Sequence, residues 1–203
     1  MDRKKHWEEV YSNKSPLEVS WFQADPAISL QLIQATGIDK TAAIIDVGGG
    51  ASRLVDFLLS HDYKNVSVLD ISSQAVEHAR SRLGDKAPHV DWLVEDITGF
   101  SAAHKYDLWH DRAVFHFLTD ATDRQKYVAN MNAALVKGSH VIIATFAIGG
   151  PEKCSRLDIV QYDEKKIQTE LGADYELQDV HHELHTTPAN KQQQFIYFHF
   201  IKQ

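Results

Sequence analysis

Asp46, the three glycines Gly48, Gly49 and Gly50, and a second acid, Asp70, are the groups of this chain best suited to chemistry by type and spacing. A ligand can press against backbone only where no Cβ intervenes, and a tight turn needs φ values that glycine adopts at no steric cost. A carboxylate placed like Asp70, 20 residues beyond Gly50, can accept both hydroxyls of a ribose through charge-assisted hydrogen bonds. Acid, glycine loop and second acid together describe a site for a nucleoside.

Such groups need elements to hold them. Ala43 to Val47 is apolar apart from Asp46 and reads as a buried strand, whereas Leu54, Val55, Phe57, Leu58 and Leu59 read as a helix. Strand, glycine loop and helix open a nucleotide-binding βαβ unit, whose helix N-terminus offers unpaired N–H groups. A dinucleotide fingerprint wants a third glycine where this chain has Arg53, which counts against NAD or FAD. A glycine turn without a ligand is the plain alternative.

The alternation continues along the chain. Val66–Asp70 reads as a second strand, followed by a helix with Ser72 or Ser73 as its N-cap. Val90–Val94 reads as a third strand, and Tyr106–His110 as a fourth that runs into Asp111-Arg112-Ala113-Val114-Phe115-His116. Residues 122–137 read as a helix closed by Lys137-Gly138, and His140–Phe146 as a fifth strand, apolar throughout. A helix over Tyr162–Leu171 precedes two alternating strands, Tyr175–His185 and Gln194–Ile201. Ahead of all this, residues 2–14 and 26–37 read as helices, with Trp21 and Phe22 in the loop between them.

Asp46-Val47-Gly48-Gly49-Gly50 resembles the first motif of the class I S-adenosylmethionine (SAM) methyltransferases, with Gly49 and Ser52 at its variable places. Leu69-Asp70-Ile71-Ser72 resembles the second motif of that family and Glu95-Asp96-Ile97 the third. The resemblance implies an α/β, Rossmann-like fold: a seven-stranded sheet of order 3-2-1-4-5-7-6, the last strand antiparallel, with helices on both faces. It implies that Asp46, Gly48, Gly49, Gly50 and Ser52 hold the methionine part of SAM, Asp70 and Ile71 the ribose, and Asp96 and Ile97 the adenine. His110 and Trp21 complete the expected cofactor set. The domain expected is a single one over 1–203: an N-terminal helical lid (1–37), a SAM-binding core (43–150), and a substrate-side loop, helix and closing hairpin (151–203).

In the class I fold the residues after the fourth strand lie beside the transferable methyl group. His116 could be a general base or a core histidine, and Asp111 a second base or, paired with Arg112, a loop holder. Arg112, Cys154 and His185 are expected on the substrate side. The N-terminal order, with Trp7, Tyr11, Trp21 and Phe22 as lid or as simple packing, resembles a group that includes protein-lysine methyltransferases. That group tends to carry Asp-Lys-Gly-Thr where this chain has Asp111-Arg112-Ala113-Val114. His181, His182 and His185 look metal-like, but strand alternation sends His182 to the opposite face, so no metal is expected.

Composition bounds the partners. Over 203 residues, 43% hydrophobic and 24% charged content is that of a globular protein, and a net charge of −7 argues against non-specific nucleic-acid or anionic-membrane binding. No apolar run reaches the roughly 20 residues that span a bilayer. The polar N-terminus does not read as a secretory signal, and the lone Cys154 fits a reducing cytoplasm. A monomer or homodimer is expected. The implied reaction is methyl transfer from SAM, leaving S-adenosylhomocysteine, to a small-molecule thiol, amine or other metabolite. A protein lysine is the alternative acceptor, and a SAM-binding protein without turnover is a further one.

Overall fold

The computed structural model describes residues 2–203. Two helices, α1 (Arg3–Asn13) and α2 (Ala27–Ala35), precede an alternating run: β1 (Ala43–Val47), α3 (Leu54–Ser60), β2 (Asn65–Asp70), α4 (Ser73–Leu83), β3 (Val90–Val94) and β4 (Tyr106–Arg112). Then come α5 (Ala121–Ala134), β5 (Leu135–Phe146), a small hairpin of β6 (Lys153–Cys154) and β7 (Leu157–Asp158), α6 (Glu164–Leu171), β8 (Tyr175–Thr186) and β9 (Gln192–Lys202). The large sheet has order β3-β2-β1-β4-β5-β9-β8. Counted among its own seven strands this is 3-2-1-4-5-7-6, as expected, with β9 antiparallel to both its neighbours.

Strand alternation builds the two faces. Ile44, Val66, Val68, Leu108, Ile142 and Tyr197 pack with α2 and α3 on one side. Ile45, Leu69, Trp109, Ile143, Phe198 and Phe200 pack with α5 and α6 on the other. Because the parallel strands are covered on both faces, their loops at the C-terminal ends are left to form the site.

Two boundaries differ from the sequence reading. The helix expected over 122–137 ends at Ala134, because Leu135 turns extended, buries itself and pairs with Tyr106. Lys137-Gly138 therefore lies within β5 and is no helix cap; Gly138, at φ +88°, sits where the β4–β5 register shifts. The helix expected from Tyr162 starts at Glu164, since Asp163 caps it by accepting the Lys166 N–H at 2.8 Å.

Candidate functional site

The C-terminal ends of β1, β2, β3 and β4 converge under α1 and α2 and enclose two adjoining cavities. The larger, about 720 Å³, is lined by Gly48, Asp70, Ile71, Asp96, Ile97 and Leu118 on the sheet side and by Arg3, Trp7, Tyr11 and Trp21 from the N-terminal segment. The second, about 530 Å³, lies over Gly48, Gly49, Ser52 and Arg53 and reaches Asp46, Ser29 and His110. Tyr11, Trp21, Gly48 and Arg112 border both.

Each glycine of the loop has its own reason to lack a side chain. Gly48 has φ +71°, and a Cβ there would lie 2.1 Å from Val114 Cγ2. A Cβ on Gly49 would meet Asp46 Oδ2 at 2.2 Å, and one on Gly50 would meet Ala75 Cβ and Asp70 Oδ2, each at 2.7 Å. The second and third glycines thus let the protein's own carboxylates approach the loop; Gly50 backs the wall and does not line it.

The carboxylates are fixed by local bonds. Asp70 Oδ2 accepts the Gly50 N–H at 3.0 Å and its Oδ1 the Ser72 N–H at 2.9 Å, so the loop and the start of α4 are tied to β2. Burial raises the Asp70 carboxyl to about 6. Asp96 Oδ1 accepts the Thr98 N–H at 2.9 Å, and its other oxygen pairs with Arg3 at 3.1 Å. Asp46 Oδ1 bonds His110 Nδ1 at 2.7 Å, and His110 Nε2 bonds Ser29 Oγ at 2.9 Å, a buried chain joining β1, β4 and α2. Asp46 Oδ2 is buried without a hydrogen-bond partner among the described residues.

The N-terminal segment is fastened over the larger cavity. Glu8 accepts Ser72 Oγ–H and the Ser73 N–H at 2.8 Å and the Gln74 N–H at 3.1 Å, covering the start of α4. Arg3 bonds Asp123 at 2.9 Å as well as Asp96. Trp7, Tyr11, Trp21 and Phe117 pack with ring centroids 5.0–6.5 Å apart, mostly edge to face. The aromatic wall was legible in the sequence. Arg3 and Glu8 were missed, since nothing in the charged run 2–9 distinguishes them.

Beyond β4 the structure corrects several expectations. Asp111 does not pair with Arg112. It faces α5, where its carboxylate accepts the Tyr127 hydroxyl at 2.7 Å and the Val114 and Phe115 N–H groups at 2.8 and 3.1 Å. It holds the loop by capping it, and burial lifts its pKa to about 6. Those bonds set Ala113 at φ +75°, a conformation suited to the glycine of the Asp-Lys-Gly-Thr pattern. His116 is fully buried between Phe117 and Phe146, accepts the Phe146 N–H, and has its pKa pushed down to about 3 by burial. It borders neither cavity, and the core reading replaces the base. Cys154 is buried in the α2–α3 face core and its thiol is pushed up to about 11, so it does not reach a cavity either. His185 is buried with Nε2 on the Ser20 carbonyl at 2.8 Å, behind the wall. Of the three expected substrate-side residues, Arg112 alone lines the cavities. His181 is held by Asp179 at 2.8 Å. No helix among the described residues is long and apolar enough to cross a membrane.

Comparison with known proteins accords with this geometry. Residues 45–141 match the family described as "Methyltransferase domain". The chain is 27% identical to nodulation protein S of Rhizobium tropici over 51% of this chain and 43% of that protein. It is 29% identical to malonyl-[acyl-carrier protein] O-methyltransferase 1 of Ilyobacter polytropus over 54% of this chain and 40% of that one. The matches thus span less than half the length of these two relatives. Among solved structures, the N-methyltransferase NodS of Bradyrhizobium japonicum in complex with S-adenosylhomocysteine superposes with a TM-score of 0.74 over 99% of both chains at 18% identity. A SAM-dependent methyltransferase of Anabaena variabilis gives 0.75 over 100% of this chain and 96% of that one at 14% identity. Residues 45–141, a little under half of the chain, thus match the methyltransferase-domain family, and the sheet order and strand-end cavity are those of the SAM-dependent methyltransferase fold.

Proposed function

We propose that the protein binds SAM and transfers its methyl group to a small-molecule acceptor. One observation carries the reading: Gly48, Asp70 and Asp96, from three separate strand ends, line a single cavity of about 720 Å³ beneath an aromatic lid. The donors and acceptors present suit the cofactor. Asp70 spends two acceptor sites on backbone N–H groups and keeps lone pairs for ribose hydroxyls. Asp96 and Ile97, which line the same cavity as the apolar Ile71 and Leu118, suit the adenine. The unpartnered Asp46 Oδ2, beside the loop of Gly48, Gly49 and Ser52, suits the ammonium of the methionyl end.

When bound, SAM supplies a methyl group already activated on a sulfonium. The chain's own task is then alignment and exclusion of water. Gly48 and the Asp70 tether set the position of the loop, while Trp7, Tyr11 and Trp21 close the cavity from above. The fastening of α1 by Glu8 and Arg3 supports a small enclosed acceptor over a protein lysine.

Titration calorimetry with S-adenosylhomocysteine tests the cofactor, and tritiated methyl-SAM incubated with metabolite and protein fractions tests the acceptor class. Micromolar binding and label in low-mass products are expected. Absence of binding overturns the proposal, binding without any transfer favours a non-catalytic SAM protein, and label confined to protein favours the lysine reading.

A further inference from the structure

Four residues border both cavities, and Arg112 is the charged one among them. It stands at the end of β4, and its guanidinium reaches across β5 toward β9 and β8, on the border shared by the two cavities. It is held rather than free to swing: Nε–H donates to Tyr197 Oη at 2.8 Å, Nη1–H to the Trp21 carbonyl at 3.0 Å, and the group stacks 4.2 Å from the Phe195 ring centroid. Nη2 reaches Glu183 at only 3.5 Å, and that carboxylate is shared with the Tyr197 hydroxyl and Gln23 at 2.7 and 2.8 Å. A guanidinium carries five N–H donors, so two of them have no partner among the described residues, and a third is barely engaged.

The carboxylate beside it, Glu183, is already shared among Arg112, the Tyr197 hydroxyl and Gln23. Asp70, Glu95 and Asp96 belong to the ends of β2 and β3, across β1 from Arg112. Asp46 bonds His110 through Oδ1, leaving only the Oδ2 assigned above to the SAM ammonium, and His110 has both ring nitrogens engaged. Tyr11 Oη accepts the Trp21 indole N–H at 3.2 Å, in full burial that keeps its proton on. His116 and Asp111 lie elsewhere.

Resting on the methyl-transfer reading above, we propose that the acceptor is a small anion, a thiolate, carboxylate or enolate, which lays its charge on the two free N–H groups of Arg112 where the cavities meet. The nucleophile's electron pair forms the bond to the methyl carbon, and the pair of the breaking C–S bond returns to sulfur. A neutral thioether and a neutral methylated acceptor result, and no proton moves. Arg112 fixes the anion by fork-like hydrogen bonds and, held rigidly, does so with little reorganisation.

The test uses the full chain with labelled SAM and four matched probes: benzenethiol, phenylacetate, benzylamine and benzyl alcohol. Methyl transfer to benzenethiol or phenylacetate should exceed transfer to the amine and alcohol, and the benzenethiol rate should follow that thiol's own ionisation. Arg112→Met should cut the anion rate at least about tenfold, the loss expected for one charge-assisted hydrogen bond. Arg112→Lys should recover part of it, and the affinity for S-adenosylhomocysteine, measured for both variants, should fall by less than the anion rate. Equal or faster transfer to benzylamine or benzyl alcohol overturns the anion. So does an undiminished rate in Arg112→Met, or a protein that binds S-adenosylhomocysteine yet neither methylates either anion from SAM nor is thermally stabilised by them. Failure to bind S-adenosylhomocysteine at all would instead remove the underlying methyltransferase reading, and the anion with it.

Discussion

The Glu8 carboxylate takes the Ser72 hydroxyl at 2.8 Å, joining the lid helix to the residue that caps α4 and sits two positions after Asp70. The lid is thereby fastened to the same turn that carries the proposed ribose acceptor. Partial burial would push the Glu8 carboxyl up, but its bonds from Gln74, Ser73 and Ser72 outweigh that and hold it below the ordinary value. A carboxylate on the free N–H groups of a helix start is favourable in charge as well as in geometry. Glu8→Ala should therefore cost about 1–2 kcal/mol, in the range of a lost N-cap. Hydrogen exchange in residues 3–13 should accelerate, and S-adenosylhomocysteine should leave faster. Unchanged exchange across α1 would show that the aromatic packing alone seats the lid.

Trp109 Nε1–H donates to Tyr127 Oη at 2.8 Å, and that hydroxyl donates to Asp111 at 2.7 Å. All three are fully buried. Tyr127→Phe keeps the ring and removes the link, leaving the indole N–H without a partner and Asp111 Oδ2 with the Phe115 N–H alone. The expected loss of stability is about 1–3 kcal/mol, measured by urea unfolding. Near-wild-type stability would mean that water replaces the hydroxyl.

Gly50 is confined by Asp70 and Ala75, each 2.7 Å from where its Cβ would stand. Gly50→Ala should push the Asp70 carboxylate off its N–H partner or displace α4. A destabilisation of about 1–3 kcal/mol, the usual range for overpacking, should accompany weaker S-adenosylhomocysteine binding. Binding at full strength would imply that Asp70 moves without cost and is not held by the loop.

The fold was legible because apolar residues recur in each strand segment, nearly continuously in β1 and the second half of β5, and the acids Asp46, Asp70 and Asp96 stand at or close to the ends of β1, β2 and β3. The separation of Asp111 from Arg112 was legible in principle, since consecutive residues of a strand point to opposite faces. Adjacency suggested a pair where alternation forbids one. The burial of His116 and Cys154 was not legible, because one lies in a single 3-10 turn and the other in the two-residue strand β6, both too short to show a period. Nor were the partners of Arg3 and Glu8, which exist only once α1 lies across α4 and the end of β3. Lys137-Gly138 mimicked a helix stop because the same glycine conformation serves a shift of strand register.

The pH response of the site follows from Asp70. Burial raises its carboxyl from an ordinary 3.8 to about 6, with Asp46 and Glu8 adding repulsion, against the pull of the Ser72 and Gly50 N–H groups. The folded value lies above the unfolded one, so between about pH 4 and 6 the folded chain holds a proton that the unfolded chain has lost. That contribution to stability is present below this window and is lost as pH rises through 6. Ribose binding runs the other way, because the ionised carboxylate is the better acceptor for two hydroxyls. Affinity for S-adenosylhomocysteine should therefore fall as pH drops below about 6, even though this group then favours the fold. Asp70→Asn should remove the step and weaken binding above it by about 1–3 kcal/mol, the cost of poorly matched buried partners. Calorimetric titrations on both sides of pH 6, for both proteins, decide it: a wild-type affinity that stays level across the window, or an Asp70→Asn profile that keeps the step, would take the ribose role from Asp70.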